Sequence, residues 1–238
     1  MNDGTTLSYP LPTSVRAFST TRAFFSSEEA LHPTRERCVQ LLQQTLGIPA
    51  VIAHQQHTDV VRRIDQPLPP DQLPGVDALI TDQPGICLCA TTADCIPVLL
   101  FDPVRPAIAA VHAGWKGTLR RIVAKTVHAM HDAYGTRPED VYAVIGPGIC
   151  SDCYEVGDDL YEAFAGEGFP MQDIAAKYVA RWHLDLPAAN RLTLLGAGVP
   201  LGHIHLTNIC TYTDTNYYSY RREGPHTGRN LNAIILNP

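Results

Sequence analysis

Two apolar runs, residues 96–101 (IPVLLF) and 107–111 (AIAAV), constrain the fold of this chain more than any other feature. Their length and branching are those of buried strands, and the turn between them holds Asp102, Pro103 and Pro106. Cys95 stands just before the first run and His112 just after the second. If the two strands pair antiparallel, those ends meet in space. Gly114 and Gly117 flank Trp115 beside them, so the backbone there can pass close to a bound group.

A chain of 238 residues can bury roughly 70% of its unfolded surface and needs no disulfide scaffold. The seven cysteines are odd in number and scattered, which fits a reducing, cytoplasmic setting. A net charge of −6 argues against general nucleic-acid binding. No apolar run reaches the roughly 20 residues of a membrane helix. The opening residues MNDGTTLSYP lack the basic and apolar parts of a signal peptide. The expectation is a soluble cytoplasmic protein with a single domain over residues 1–238.

Along the chain, residues 15–20 read as an early strand that ends at Thr21-Arg22. Residues 34–46 have helical spacing, with Thr34 as N-cap and a stop at Gly47 and Pro49. Strands are expected at 50–54, 60–64, 78–81 and 86–90, with a loop at 65–75. After Gly117 the positions Leu119, Ile122, Val123, Thr126, Met130 and Ala133 line one face of a helix that Gly135 ends. A buried strand at 141–145, weaker helices at 158–165 and 188–195, and strands at 204–207 and 233–236 complete the reading. Strands outnumber helices and do not alternate with them strictly. A mixed α/β sandwich therefore fits better than a doubly wound sheet.

His57, Cys95 and His112 each fall at an expected junction between strand and loop. Imidazole nitrogens with a thiolate suit zinc or copper, and three protein ligands leave a fourth position open. A carboxylate beside a ligand, here Asp94, can orient such a site. The same residues also fit a thiol hydrolase, with Cys95 as nucleophile and His112 as its base. Spacing alone leaves both open; only the metal site needs His57. The stretch 208–229 is rich in Tyr and carries Arg221, Arg222 and Arg229, which suit phosphate or carboxylate. Arg22 is a lone basic residue after a strand. Cys150 and Cys153 form a C-x-x-C pair without a second pair, and read as packing or pocket-lining residues. Cys87 and Cys89 share one strand face and read as core.

The blocks QQHTDV (55–60), GVDALIT (75–81), TADCIPVLLFD (92–102), HAGWKG (112–117), GPGICSDCYEV (146–156), NICT (208–211) and YYSYRREGPHTGR (217–229) occur in this order. Together they resemble the bacterial YfiH family, also called polyphenol oxidase (laccase-like), purine nucleoside phosphorylase family or peptidoglycan editing factor. The resemblance covers about residues 15–238. It implies a layered α/β/β/α domain and zinc-dependent phosphorolysis of adenosine, inosine and 5′-methylthioadenosine, alongside adenosine deamination. The partners it implies are a purine nucleoside and phosphate; the family name brings copper-dependent phenol oxidation as a rival. The implied zinc ligands are His57, Cys95 and His112, with Arg22, Arg221, Arg222 and Arg229 as candidates to hold phosphate or ribose. The chain departs from the family pattern at Thr58, where Gly is usual, at Lys116, where Arg is usual, and at Ala23-Phe24-Phe25, where a Gly-Gly turn follows the arginine.

Overall fold

The computed structural model describes residues 4–25 and 34–237; the first three residues of the opening stretch lie outside them. The chain runs through β1 (Thr6–Ser8), β2 (Val15–Thr20), α1 (Arg35–Leu46), β3 (Ala50–Ile52), β4 (Val60–Arg63), β5 (Val76–Thr81) and β6 (Cys87–Thr92). The two apolar runs follow as β7 (Ile96–Asp102) and β8 (Ala107–Ala113), then α2 (Trp115–Leu119) and α3 (Ile122–Tyr134). The remainder is β9 (Tyr142–Ile145), β10 (Glu155–Val156), α4 (Asp158–Gly166), α5 (Met171–Ile174), β11 (Ala175–Tyr178), β12 (Arg181–Leu184), α6 (Leu186–Gly196), β13 (Ile204–Leu206), α7 (Tyr220–Glu223) and β14 (Asn230–Leu236).

A six-stranded mixed sheet has the order β13-β9-β7-β8-β5-β4, and a five-stranded one the order β1-β2-β14-β6-β3. β7 and β8 pair antiparallel, Pro97 opposite His112, so the two chemically active ends do meet. Side chains alternate across a strand, and here both faces are apolar. Val98, Leu100, Ala109 and Val111 point to a core shared with α3 and α6. Leu99, Phe101, Ile108 and Ala110 point the other way, against Ala17, Leu88 and Ile234 of the five-stranded sheet. That second sheet turns Phe18, Cys87, Cys89 and Ala233 outward to Cys38 and Leu42 of α1. Two cores cover the outer sheet faces and a third fills the space between the sheets. The layers are therefore helix, sheet, sheet, helix, as the resemblance implied, and they make the mixed α/β sandwich expected from the residue pattern.

Local signals account for the ends of α1. The Thr34 side chain accepts the Arg37 N–H, and Gly47 closes the helix at φ +69°. The single helix expected after Gly117 is instead two, because Arg121 takes a left-handed conformation at φ +60° that ends α2 and starts α3. A small sheet, β10-β12-β11, was not anticipated from sequence. Its strands are short and largely solvent-facing (AAKY, RWHL), so they carry no apolar alternation. β14 begins at Asn230, earlier than the expected 233, because Asn232 donates its side-chain N–H to the Ala90 carbonyl and Thr92 hydroxyl and so satisfies itself inside the sheet. Among the described residues no helix is long and apolar enough to cross a membrane.

Phe101 is 1% exposed at the inter-sheet seam. Phe101→Ala is expected to cost about 3–5 kcal/mol of unfolding free energy in a urea titration, through lost transfer energy and a residual cavity.

Candidate active site

His57 and Cys95 both lie where the chain passes from one large sheet to the other. Residues 53–59 link β3 of the five-stranded sheet to β4 of the six-stranded one, and residues 93–95 link β6 to β7. His112 comes from the end of β8. The turns are sharp enough that His57 (φ +59°) and Asp94 (φ +91°) occupy the left-handed region, an uncommon conformation for non-glycine residues that clusters at functional sites.

The structure brings the three expected ligands together. Their donor atoms all lie within 4.8 Å of one another, with His57 exposed, Cys95 half-buried and His112 buried. Cys95 Sγ is 3.7 Å from His57 Nε2. Close approach depends on Gly114: a Cβ there would stand 2.8 Å from the His57 ring and 3.0 Å from Cys95 Sγ.

The carboxylate that orients the trio is Asp77, which the sequence reading did not single out. Asp77 accepts the backbone N–H groups of Gln56, His57 and Thr58 at 2.9–3.0 Å and pairs with His112 Nδ1 at 2.7 Å. That pairing leaves His112 Nε2 free for the trio. Asp77 can reach all four groups because it is the extra residue of a bulge: Val60 pairs with Val76, but Val61 pairs with Ala78. The one sequence signal was an acid inside the otherwise apolar strand VDALIT. Asp94, by contrast, serves the other rim. It accepts the Thr211 hydroxyl at 2.7 Å and the Arg221 backbone N–H at 2.6 Å.

Electrostatics follow from these contacts. Burial opposes ionisation of Cys95, but the charge and hydrogen bonds of His112 and His57 outweigh it and bring the thiol down to about 6. Burial likewise disfavours charge on His112, yet Cys95 and Asp77 raise it to about 9. Each group thus favours the charged form of the other, thiolate on Cys95 and imidazolium on His112.

The trio opens onto a cavity of about 600 Å³. Arg221 and Arg229 line it, together with Arg35, which sequence reasoning missed because it sits in the first turn of a helix. Arg221 is steered by bonds to the Glu155 carbonyl and stacks over Tyr154. Arg22 and Arg222 are not among the lining residues. Arg22 pairs with Glu223 and lies over the Tyr218 ring, while Arg222 donates to the carbonyls of Thr211, Tyr212 and Tyr217. Their guanidinium groups hold the loop that presents Arg221.

The family model described as multi-copper polyphenol oxidoreductase laccase matches residues 21–237. The chain belongs to this family. The crystal structure of the YfiH protein of Bacillus licheniformis, another fold of this kind, superposes with a TM-score of 0.90 at 28% identity, covering 99% of this chain and 98% of that one. A purine nucleoside phosphorylase of Bacteroides thetaiotaomicron is 47% identical over 170 residues, 70% of this chain and 63% of that protein. Adenosine deaminase RL5, from an unknown prokaryotic organism, is 41% identical over 165 residues, 68% and 63% of the two chains. The chain thus matches a little under two thirds of the length of these two curated relatives.

Asp77 is held ionised, from 3.8 in the free residue to about 2. Burial opposes this, and the bonds from His112, Thr58 and Gln56 overcome it. The stabilisation is complete above about pH 4 and is lost as pH falls through about 2. Asp77→Asn is expected to lower stability near neutrality by about 2 kcal/mol and to flatten the acid limb of the denaturation profile. An unaltered limb in denaturant titrations across that range would show that Asp77 does not supply it.

Proposed function

We propose that this chain is a zinc-dependent purine nucleoside phosphorylase acting on adenosine, inosine and 5′-methylthioadenosine, with adenosine deamination at the same centre. The observation that carries this reading is the convergence of His57, Cys95 and His112 on a cavity rimmed by Arg35, Arg221 and Arg229. The names of the relatives support it. The donor set fits the ion: two imidazoles and a thiolate suit zinc, and copper is accommodated by the same soft ligands. When bound, zinc would supply a Lewis acid with one position left open to water or a phosphate oxygen.

The chain's own residues supply the rest. In phosphorolysis the bond between ribose C1′ and the purine nitrogen breaks, a bond from phosphate oxygen to C1′ forms, and the departing purine takes up a proton. Positive charge gathers on the sugar and negative charge on the base, so the attacking phosphate must be gripped and aligned. Arg221 and Arg229 grip phosphate, with Arg35 beside them. Asp94 positions Arg221 by accepting its backbone N–H. Tyr154 and Trp115, both lining the cavity, offer ring faces to the purine. Asp77 keeps His112 oriented through Nδ1. In deamination, water adds at C6 of adenine and ammonia leaves.

A second reading is favoured by one observation: Cys95, His112 and Asp77 also stand in the order nucleophile, base and orienting carboxylate. That arrangement suits a thiol hydrolase acting on a peptidoglycan precursor. That reading uses His57 only as a hydrogen-bond partner of the thiolate, whereas a metal engages all three side chains as ligands, which is why the metal reading is preferred.

Incubation with inosine and phosphate is expected to release hypoxanthine, and a chelator to abolish that release. Chelator-resistant cleavage of amide substrates would favour the hydrolase instead. Cys95→Ala is expected to lose the ion held at the trio and to lower turnover by more than the roughly 10–100-fold typical of outer-partner changes. Arg229→Ala is expected to raise the phosphate KM about tenfold with a smaller change in kcat. An unchanged KM would remove Arg229 from the clamp.

A further inference from the structure

The C-x-x-C pair has a third partner that its spacing conceals. Cys150 precedes and Cys153 closes the tight turn Ser151–Cys153, and Cys210 reaches them from 60 residues after Cys150. The three sulfurs lie within 4.8 Å of one another, and all three residues are half-buried. All three are free thiols. We propose that Cys150, Cys153 and Cys210 form a second metal site, which takes a soft d10 cation, Zn2+ or Cu+, as a tris-thiolate.

Three observations carry this assignment. The first is spacing. Sulfurs sharing a tetrahedral zinc at a bond length of about 2.3 Å stand about 3.8 Å apart, so the present cluster needs to contract by about 1 Å at most. The second is the number and kind of donors. One disulfide would strand the third sulfur, whereas one thiophilic ion uses all three, and thiolates select Cu+ and zinc over hard cations. The third is the frame. Gly148 and Cys210 are bridged as parallel strands, the Thr211 N–H donates to the Gly148 carbonyl at 3.0 Å, and the Cys150 N–H donates to Cys210 Sγ at 3.3 Å. Cys150 also faces a separate cleft of about 320 Å³, through which an ion and a fourth, exogenous ligand can arrive.

The site's position gives it a task. The Ile149 N–H donates to the Asp94 carbonyl at 2.9 Å, and the Thr211 hydroxyl to the Asp94 carboxylate at 2.7 Å. Each of these residues adjoins a cysteine of the cluster. An ion on the three sulfurs therefore braces the turn that carries Asp94 and Cys95. Gly148 sits directly beneath that turn, where a Cβ would meet the Asp94 carbonyl oxygen at 3.1 Å.

The test is native mass spectrometry of the reduced full chain loaded with Zn2+ alone, with Cu+ under anaerobic conditions as a second arm. Wild type is expected to hold two ions, and both Cys95→Ala and the double variant Cys150→Ser/Cys210→Ser one each. Because Cys95→Ala leaves the second cluster unaltered, it keeps the test sound even if the double variant folds poorly. Loaded with Co2+, Cys95→Ala is expected to retain the intense thiolate-to-metal absorption of three sulfur ligands, whereas the double variant is expected to keep only the weaker band of the single Cys95 thiolate. A Cys95→Ala protein that binds no ion, or one whose cluster thiols stay fully open to alkylation in the presence of the metal, overturns the proposal. Preference between the Zn2+ and Cu+ arms identifies which ion the site takes.

Discussion

One buried carboxylate organises this molecule's chemistry. Asp77 has no exposed side-chain surface, and an ionised carboxylate in such a place is costly unless its oxygens are filled. Here they are filled by three successive backbone N–H groups, the Thr58 hydroxyl and the His112 ring. The same contacts that stabilise the charge fix the loop of His57 and the tautomer of His112. Two of the three candidate ligands thus take their orientation from a single side chain. A bulge in β5 makes this possible by turning Asp77 out of the regular alternation.

The trio is dispersed along the sequence because it is assembled where the chain changes sheets. Two crossings run from the five-stranded to the six-stranded sheet, and each delivers one ligand at its sharpest corner. The third stands opposite Pro97, two residues beyond Cys95, in the central hairpin. The layers on either side hold those corners still, since both faces of β7 and β8 are buried. The left-handed conformations at His57 and Asp94 are tolerated because hydrogen bonds from their own surroundings pin them.

Much of this was legible in the residues. The runs at 96–101 and 107–111, the Thr34 cap and the Gly135 stop report directly on local geometry, and each was found where expected. Cys87 and Cys89, spaced for one strand face, are indeed core. What stayed hidden depended on contacts distant in sequence. Asp77 looked like an isolated acid because a bulge has no residue signature. Arg22 and Arg222 share the basic character of Arg221, and only the carbonyls and the carboxylate around them separate holding a loop from facing a cavity. The break at Arg121 goes against its residue type, and no local preference announces it.

The crossings have a mechanical corollary. His57 and Cys95 hang from the junctions between the sheets, whereas His112 belongs to one sheet alone. Any sliding of one sheet across the other must therefore change the bite of the three donors. An ion gripped there would work as a rivet through the seam, and its hold would register how firmly Phe101, Leu88 and Ile234 keep the two layers in register. Repacking of that distant interior would then loosen the grip well before the chain came apart.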